Sequence, residues 1–126
     1  MTANHYADAA RFRTALRRFM RESETASRRS GVTPQQYVLL LQIAACDGGT
    51  ATVGELVDRL VLTQSTVTEL VQRAEAAGLV ERRPAKHDAR VVHLTLSERG
   101  QAILDAVHSG LKSERARLRT ILDGDG

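Results

Sequence analysis

The chain has 126 residues, 18 Lys and Arg against 15 Asp and Glu, and a net charge of +3, which suits a single mildly basic domain. Aromatics are 3% and Trp is absent, so the core must be built from Leu, Val, Ile and Ala, which favours packed helices over a β-sandwich. No apolar run approaches the roughly 20 residues that span a bilayer, no secretory signal is visible, and a single cysteine excludes an intramolecular disulfide framework; a soluble cytoplasmic protein is expected.

Residues 6–29 read as the first helix, with Phe12, Leu16, Phe19 and Met20 on one face and Arg11, Arg13, Arg17, Arg18 and Arg21 on others. Thr33-Pro34-Gln35-Gln36 is a capping-box start with Pro at the first helical position. The helix it opens runs to about Ala45 on Val38, Leu39, Leu41, Gln42 and Ile43, apolar on most of its surface and therefore central. Asp47-Gly48-Gly49 stops it.

Thr52-Val53-Gly54-Glu55 is a second capping box, opening a short helix to about Leu60 with Leu56, Val57 and Leu60 buried. After a Val61-Leu62 turn, Thr63 caps a helix to about Ala77, with Gly78 at its C′ position. Two short helices with so brief a connection form a helix-turn-helix. Leu79 to Arg83 and Val91 to Thr95 read as a hairpin, its first strand stopped by Pro84. Ser97 caps one last long helix, 98–122, carrying Ile103, Leu104, Val107, Leu111, Leu118 and Leu122, and the Asp123–Gly126 tail is expected to fray. The fold class is mainly α with a small β-hairpin: a single winged helix-turn-helix domain over 1–126.

In the helix after Thr63, a 100° period puts Val67, Leu70, Val71 and Ala74 inside. Ser65, Thr68, Glu69 and Gln72 point outward, with Arg73 at the edge and Gln64 and Thr66 at the N-terminal end. Hydroxyls and an amide without long apolar groups suit donors and acceptors at base edges in a DNA major groove, and the free N–H groups of a helix start suit phosphate. An ordinary solvated helix face has the same composition. The hairpin adds Arg82, Arg83, Lys86 and Arg90 within nine residues, and an Arg at a hairpin tip can enter a minor groove. Asp88 stands where it can orient the Arg90 guanidinium. All basic residues but Lys86 and Lys112 are Arg, the side chain that pairs bidentately with phosphate and guanine.

The wing pattern Asp88-Ala89-Arg90, then Leu94-Thr95 and Gly100, resembles the MarR family of winged-helix transcriptional regulators. So does the run Ser65-Thr66-Val67-Thr68, followed by Leu70-Val71 and Gly78-Leu79-Val80. The resemblance covers about residues 33–105. It implies a DNA-binding lobe, 33–96, flanked by dimerisation helices 6–29 and 98–122. It implies major-groove roles for Ser65, Thr66, Thr68, Gln72 and Arg73 and a minor-groove role for Arg90, braced by Asp88. The expected candidate DNA-binding set is thus Gln64, Ser65, Thr66, Thr68, Gln72, Arg73, Arg82, Lys86, Asp88 and Arg90.

The expected protein is a homodimeric repressor on a pseudo-palindromic double-stranded DNA site, released by a small aromatic or phenolic effector. Members of the family carry a further C-terminal helix, whereas this sequence reads as one long helix after the wing, so a smaller or rearranged dimer interface is expected. A ligand-independent DNA-binding protein, or a winged-helix module that binds protein through the same hairpin, are the alternatives. Cys46 ends an apolar helix without basic neighbours and reads as a buried structural thiol rather than a redox sensor. His5, His87, His93 and His108 lack ligand spacing, and no phosphate loop or nucleophile motif is present, so neither metal, cofactor nor enzymatic activity is expected.

Overall fold

The computed structural model describes residues 4–84 and 90–124. Among these residues six α-helices run in order: α1 (Asn4–Arg29), α2 (Pro34–Ala45), α3 (Val53–Leu60), α4 (Gln64–Ala76), α5 (Glu98–Gly110) and α6 (Lys112–Leu122). Three short strands, β1 (Thr50–Ala51), β2 (Val80–Pro84) and β3 (Val92–Leu96), form an antiparallel sheet in the order β1-β3-β2. Among the described residues no helix is long and apolar enough to cross a membrane.

Local chemistry sets the helix starts. Thr33 and Thr52 each accept from the backbone N–H three residues on, and Gln36 and Glu55 reach back to the cap N–H, giving two complete capping boxes. Thr63 and Ser97 cap α4 and α5 through their hydroxyls. The four helix starts stand where the sequence places them.

Leu39, Leu40 and Ile43 of α2 are fully buried. Around them pack Leu56 of α3, Val67, Val71 and Ala74 of α4, Leu94 of β3 and Val107 of α5, so α2 is the centre of the core. It is not apolar-buried all round, since Val38 remains 39% exposed. The α1 stripe is covered incompletely: Phe12 and Met20 are exposed, Leu16 and Phe19 half-buried.

The reading of 98–122 as one helix is corrected. The helix breaks at Leu111, whose backbone leaves helical geometry (φ −108°, ψ 14°). Gly110 weakens the helix there, and Leu111 is drawn into the core, 1% exposed. At the break the His108 carbonyl accepts from the Leu111 N–H at 3.2 Å and also from the Arg115 guanidinium. α6 then packs back along α1, where Arg117 pairs with Glu22 at 3.2 Å. The expected single helix is thus two, α5 and α6, within the same span.

The hairpin strands lie about one residue later than expected. Pro84 ends β2 from within it, paired with Val92, as an edge strand tolerates. Thr50 and Ala51, opposite Thr95 and Leu94, add a third strand that sequence periodicity does not reveal.

Candidate nucleic-acid interface

The turn between α3 and α4 aims the site. Val61 adopts a left-handed conformation (φ 56°), the one non-glycine residue among those described with positive φ. Its N–H still bonds the Val57 carbonyl, closing α3, and the chain then reverses into the α4 cap. Val61 is 85% exposed.

At the start of α4 the hydroxyls form a cluster. Thr63 Oγ1 accepts from the Thr66 N–H at 3.3 Å, donates to Thr66 Oγ1 at 2.9 Å and lies 3.3 Å from Ser65 Oγ. The cap orients these groups before any ligand arrives. Gln64, Ser65, Thr66, Gln72 and Arg73 are exposed and Thr68 is half-exposed, while Val67, Val71 and Ala74 face the core. The expected two-sided division of α4 is present, except that Leu70 is only partly buried.

Two of the expected cations are engaged in ion pairs. Arg73 donates to Glu69 at 2.7 Å, one helical turn back on the same exposed face. This pair neutralises the one carboxylate on the outer face of α4. Arg82 reaches from β2 to α4, where its Nε donates to Glu75 Oε1 at 2.6 Å. Arg83 lies 3.4 Å from Glu81. Arg82 is therefore a brace between wing and helix, a role that spacing alone does not reveal. Arg90 is exposed in a turn at the base of β3. Lys86, His87 and Asp88 lie outside the described residues, and with them the expected support of Arg90 by Asp88.

The sequence reading also missed a set of contacts at the other end of α4. Arg99 and Ser97 donate to the carbonyls of Ala77 and Gly78. The signal available in the sequence was the Ser97 cap followed by Gly100.

Between α1, α2, α4 and the α5–α6 corner lies a cavity of about 580 Å³. Its apolar wall includes Met20, Val38, Leu41 and Leu70, and Arg28, His108 and Arg115 supply polar groups. Tyr37 also lines it; burial pushes its phenol pKa up, against the opposing influence of Arg115. Cys46 is buried elsewhere in the core, its Sγ donating to the Gln42 carbonyl at 3.3 Å. No three His, Cys, Asp or Glu residues gather as metal ligands among the described residues.

Residues 30–91 match the model of the MarR family. Over 94 residues the chain is 31% identical to the HTH-type transcriptional repressor MdtR of Bacillus subtilis, a match covering 75% of this chain and 59% of MdtR. The chain spans between 46% and 59% of the length of the curated relatives it matches. Among solved structures, the MarR family transcription regulator SP03579 superposes with a TM-score of 0.77 at 28% identity, covering 98% of this chain and 78% of that one. A cysteine-to-serine mutant of MarR from E. coli complexed with operator DNA shares the fold, with a TM-score of 0.72 at 22% identity over 94% of this chain and 84% of that one.

Proposed function

The chain belongs to the MarR family, and from that premise we propose that it is a sequence-specific, double-stranded DNA-binding transcriptional regulator acting as a homodimeric repressor. The observation that carries this reading is the outer face of α4: an ordered hydroxyl cluster at its N-terminus, continued by Thr68, Gln72 and Arg73, with its carboxylate already paired. Each subunit lays α4 in a major groove, where these groups meet base edges, while the basic hairpin reaches along the duplex with Arg90 in the adjacent minor groove. Phosphate contacts set register and base contacts set sequence. Gln64, Ser65 and Thr66 stand nearest the helix N-terminus, where free N–H groups favour an anion.

Two copies pair through α1, α5 and α6, which supports a pseudo-palindromic site with half-sites about one helical turn apart. The exposed Phe12 and Met20 of α1 belong to that interface. The cavity between α1, α2 and α4 suits a small aromatic or phenolic acid: its walls are apolar, and Arg28 and Arg115 supply charge for a carboxylate. A ligand there touches both the pairing helices and the DNA-reading lobe, so its binding shifts one against the other and releases DNA.

The test is selection of bound duplexes from a random pool, followed by titration of the selected site across salt concentrations. A palindromic consensus and an affinity that falls steeply with salt are expected. No duplex binding at low salt would leave the protein-binding hairpin module as the better reading. Melting in the presence of aromatic acids tests the effector, since a ligand that binds the folded chain raises its melting temperature.

A further inference from the structure

The C-terminal end of α4 is closed twice. The first closure is local. Gly78 takes positive φ (75°), its N–H bonds the Glu75 carbonyl at 2.9 Å, and the Leu79 N–H bonds the Ala74 carbonyl at 2.9 Å. This is the Schellman arrangement, which satisfies carbonyls of the last turn.

The second closure comes from a different element. The carbonyls of Ala77, Gly78 and Leu79 follow the Schellman turn. Each is taken by the segment that opens α5: Arg99 donates to Ala77, Ser97 Oγ donates to Gly78 at 2.6 Å, and the Ser97 N–H donates to Leu79 at 3.0 Å. Ser97 Oγ also accepts from the Gly100 N–H at 3.0 Å, so one hydroxyl starts α5 and holds the end of α4. Gly100 permits the approach, because a Cβ there would collide with the Leu79 carbonyl. Arg99 has a further fit: a cation at a helix C-terminus complements the negative end of the macrodipole.

We propose that Arg99 is a positioning residue for DNA reading, acting through the Ala77 carbonyl to fix the angle of α4 in the groove. The proposal rests on the DNA-binding reading above. The residues offered to bases are concentrated toward the start of α4, whereas Arg99 grips its end. Over 13 residues at about 1.5 Å each, α4 is roughly 20 Å long, so a tilt of about 5° at its C-terminus moves its first turn by nearly 2 Å. Hydrogen bonds to base edges do not survive such a displacement, whereas non-specific phosphate attraction tolerates it. Loss of the tie therefore lowers the preference for the operator more than the affinity for DNA at large. Gly78 and Ser97 maintain the local turn without Arg99, so the fold persists.

The test uses the full chain with Arg99→Ala and Arg99→Lys, the selected operator and a random-sequence duplex, each titrated at several salt concentrations. Arg99→Ala is expected to melt within a few degrees of wild type and to bind random duplex with unchanged affinity and salt slope. Its operator affinity should fall at least tenfold. Arg99→Lys, which retains charge and a donor, should recover most of that loss. Amide exchange at Gly78 and Leu79 should quicken in Arg99→Ala and stay near wild type in Arg99→Lys.

Equal losses on operator and random duplex with a shallower salt slope would make Arg99 a phosphate contact and overturn the proposal. Unchanged operator affinity in Arg99→Ala would overturn it as well. A wild-type protein that binds no duplex fails the DNA reading, and this proposal with it; that failure is distinguishable because it appears before any substitution is made.

Discussion

The Arg82 guanidinium Nε lies 2.6 Å from Glu75 Oε1, joining the first wing strand to the flank of α4. Both side chains are partly shielded, which separates this pair from the more exposed Arg73–Glu69 pair on the outer face. The first strand of the wing is thus tied to α4. One prediction concerns the energy of that link. A double-mutant cycle with Arg82→Ala and Glu75→Ala in urea should give a coupling of about 0.5–1 kcal/mol, the upper end for a partly exposed pair. Zero coupling would mean that the link does not order the hairpin in solution.

The two wing arginines should respond differently to removal. Arg90→Ala should weaken operator binding by roughly 1–3 kcal/mol in a titration at fixed salt, the range for a specific contact. Arg82→Ala removes the tie to Glu75, so it should lower the melting temperature as well as operator affinity. Thr68 and Gln72 substitutions should relax sequence preference more than they reduce random-duplex binding. If Arg90→Ala bound the operator as wild type does, the minor-groove assignment would be lost.

Much of this fold was legible because its punctuation is local. Thr33, Thr52, Thr63 and Ser97 each bond an N–H three residues away, so four residues of sequence suffice to recognise each cap. What escaped reading depends on distant partners. Thr50–Ala51 is a strand only because Thr95 and Leu94 lie beside it. The break at Leu111 hid because leucine spacing continues through it; only packing shows that Leu111 turns into the core. Arg82 and Glu75 are seven residues apart and meet because the chain turns at Gly78. Arg99 reaches Ala77 across 22 residues after the whole wing has intervened. Of the candidate site, the α4 face was readable from its period, whereas the partners of Arg73, Arg82 and Arg99 were not.

Val61 carries backbone strain that a substitution should relieve. An L residue in the left-handed region costs about 1–2 kcal/mol, least for Asn, whose side chain bonds locally. Val is β-branched and among the residues least suited to it. Its side chain is 85% exposed, so its removal forfeits little burial. Val61→Asn should therefore stabilise the chain by about 1 kcal/mol, raising the melting temperature by roughly 3–5 °C. A lower melting temperature would show that the isopropyl group makes a stabilising contact in solution, for example across a dimer.

Cys46 is 4% exposed and its Sγ donates to the Gln42 carbonyl. A buried thiol without access is inert. The native protein should react with a disulfide reagent only as fast as it unfolds, and mild peroxide should leave operator binding unchanged. Rapid labelling in the absence of denaturant would instead make Cys46 an accessible sensor.

Glu55 gives the α3 start a pH dependence with a definite sign. The backbone N–H of Thr52, then its hydroxyl, both donate to the Glu55 carboxylate and hold its pKa below the ordinary 4.5. Desolvation opposes this weakly, and Arg59 and His93 add to the lowering. A depressed folded pKa means that the unfolded chain takes up the proton first. The stabilisation is therefore complete above about pH 4.5 and is lost as pH falls through the lower, folded value. The carboxylate is nearly fully solvated, so the effect is small and screened by salt. Glu55→Gln retains an acceptor for the Thr52 N–H but does not titrate, which separates geometry from charge. Wild type and Glu55→Gln should differ most in stability near neutral pH, wild type being the more stable, and should converge as pH drops from 4.5 to 3. Urea midpoints across that range check it, and a gap that held constant or widened on acidification would show that the Glu55 charge contributes nothing to the cap.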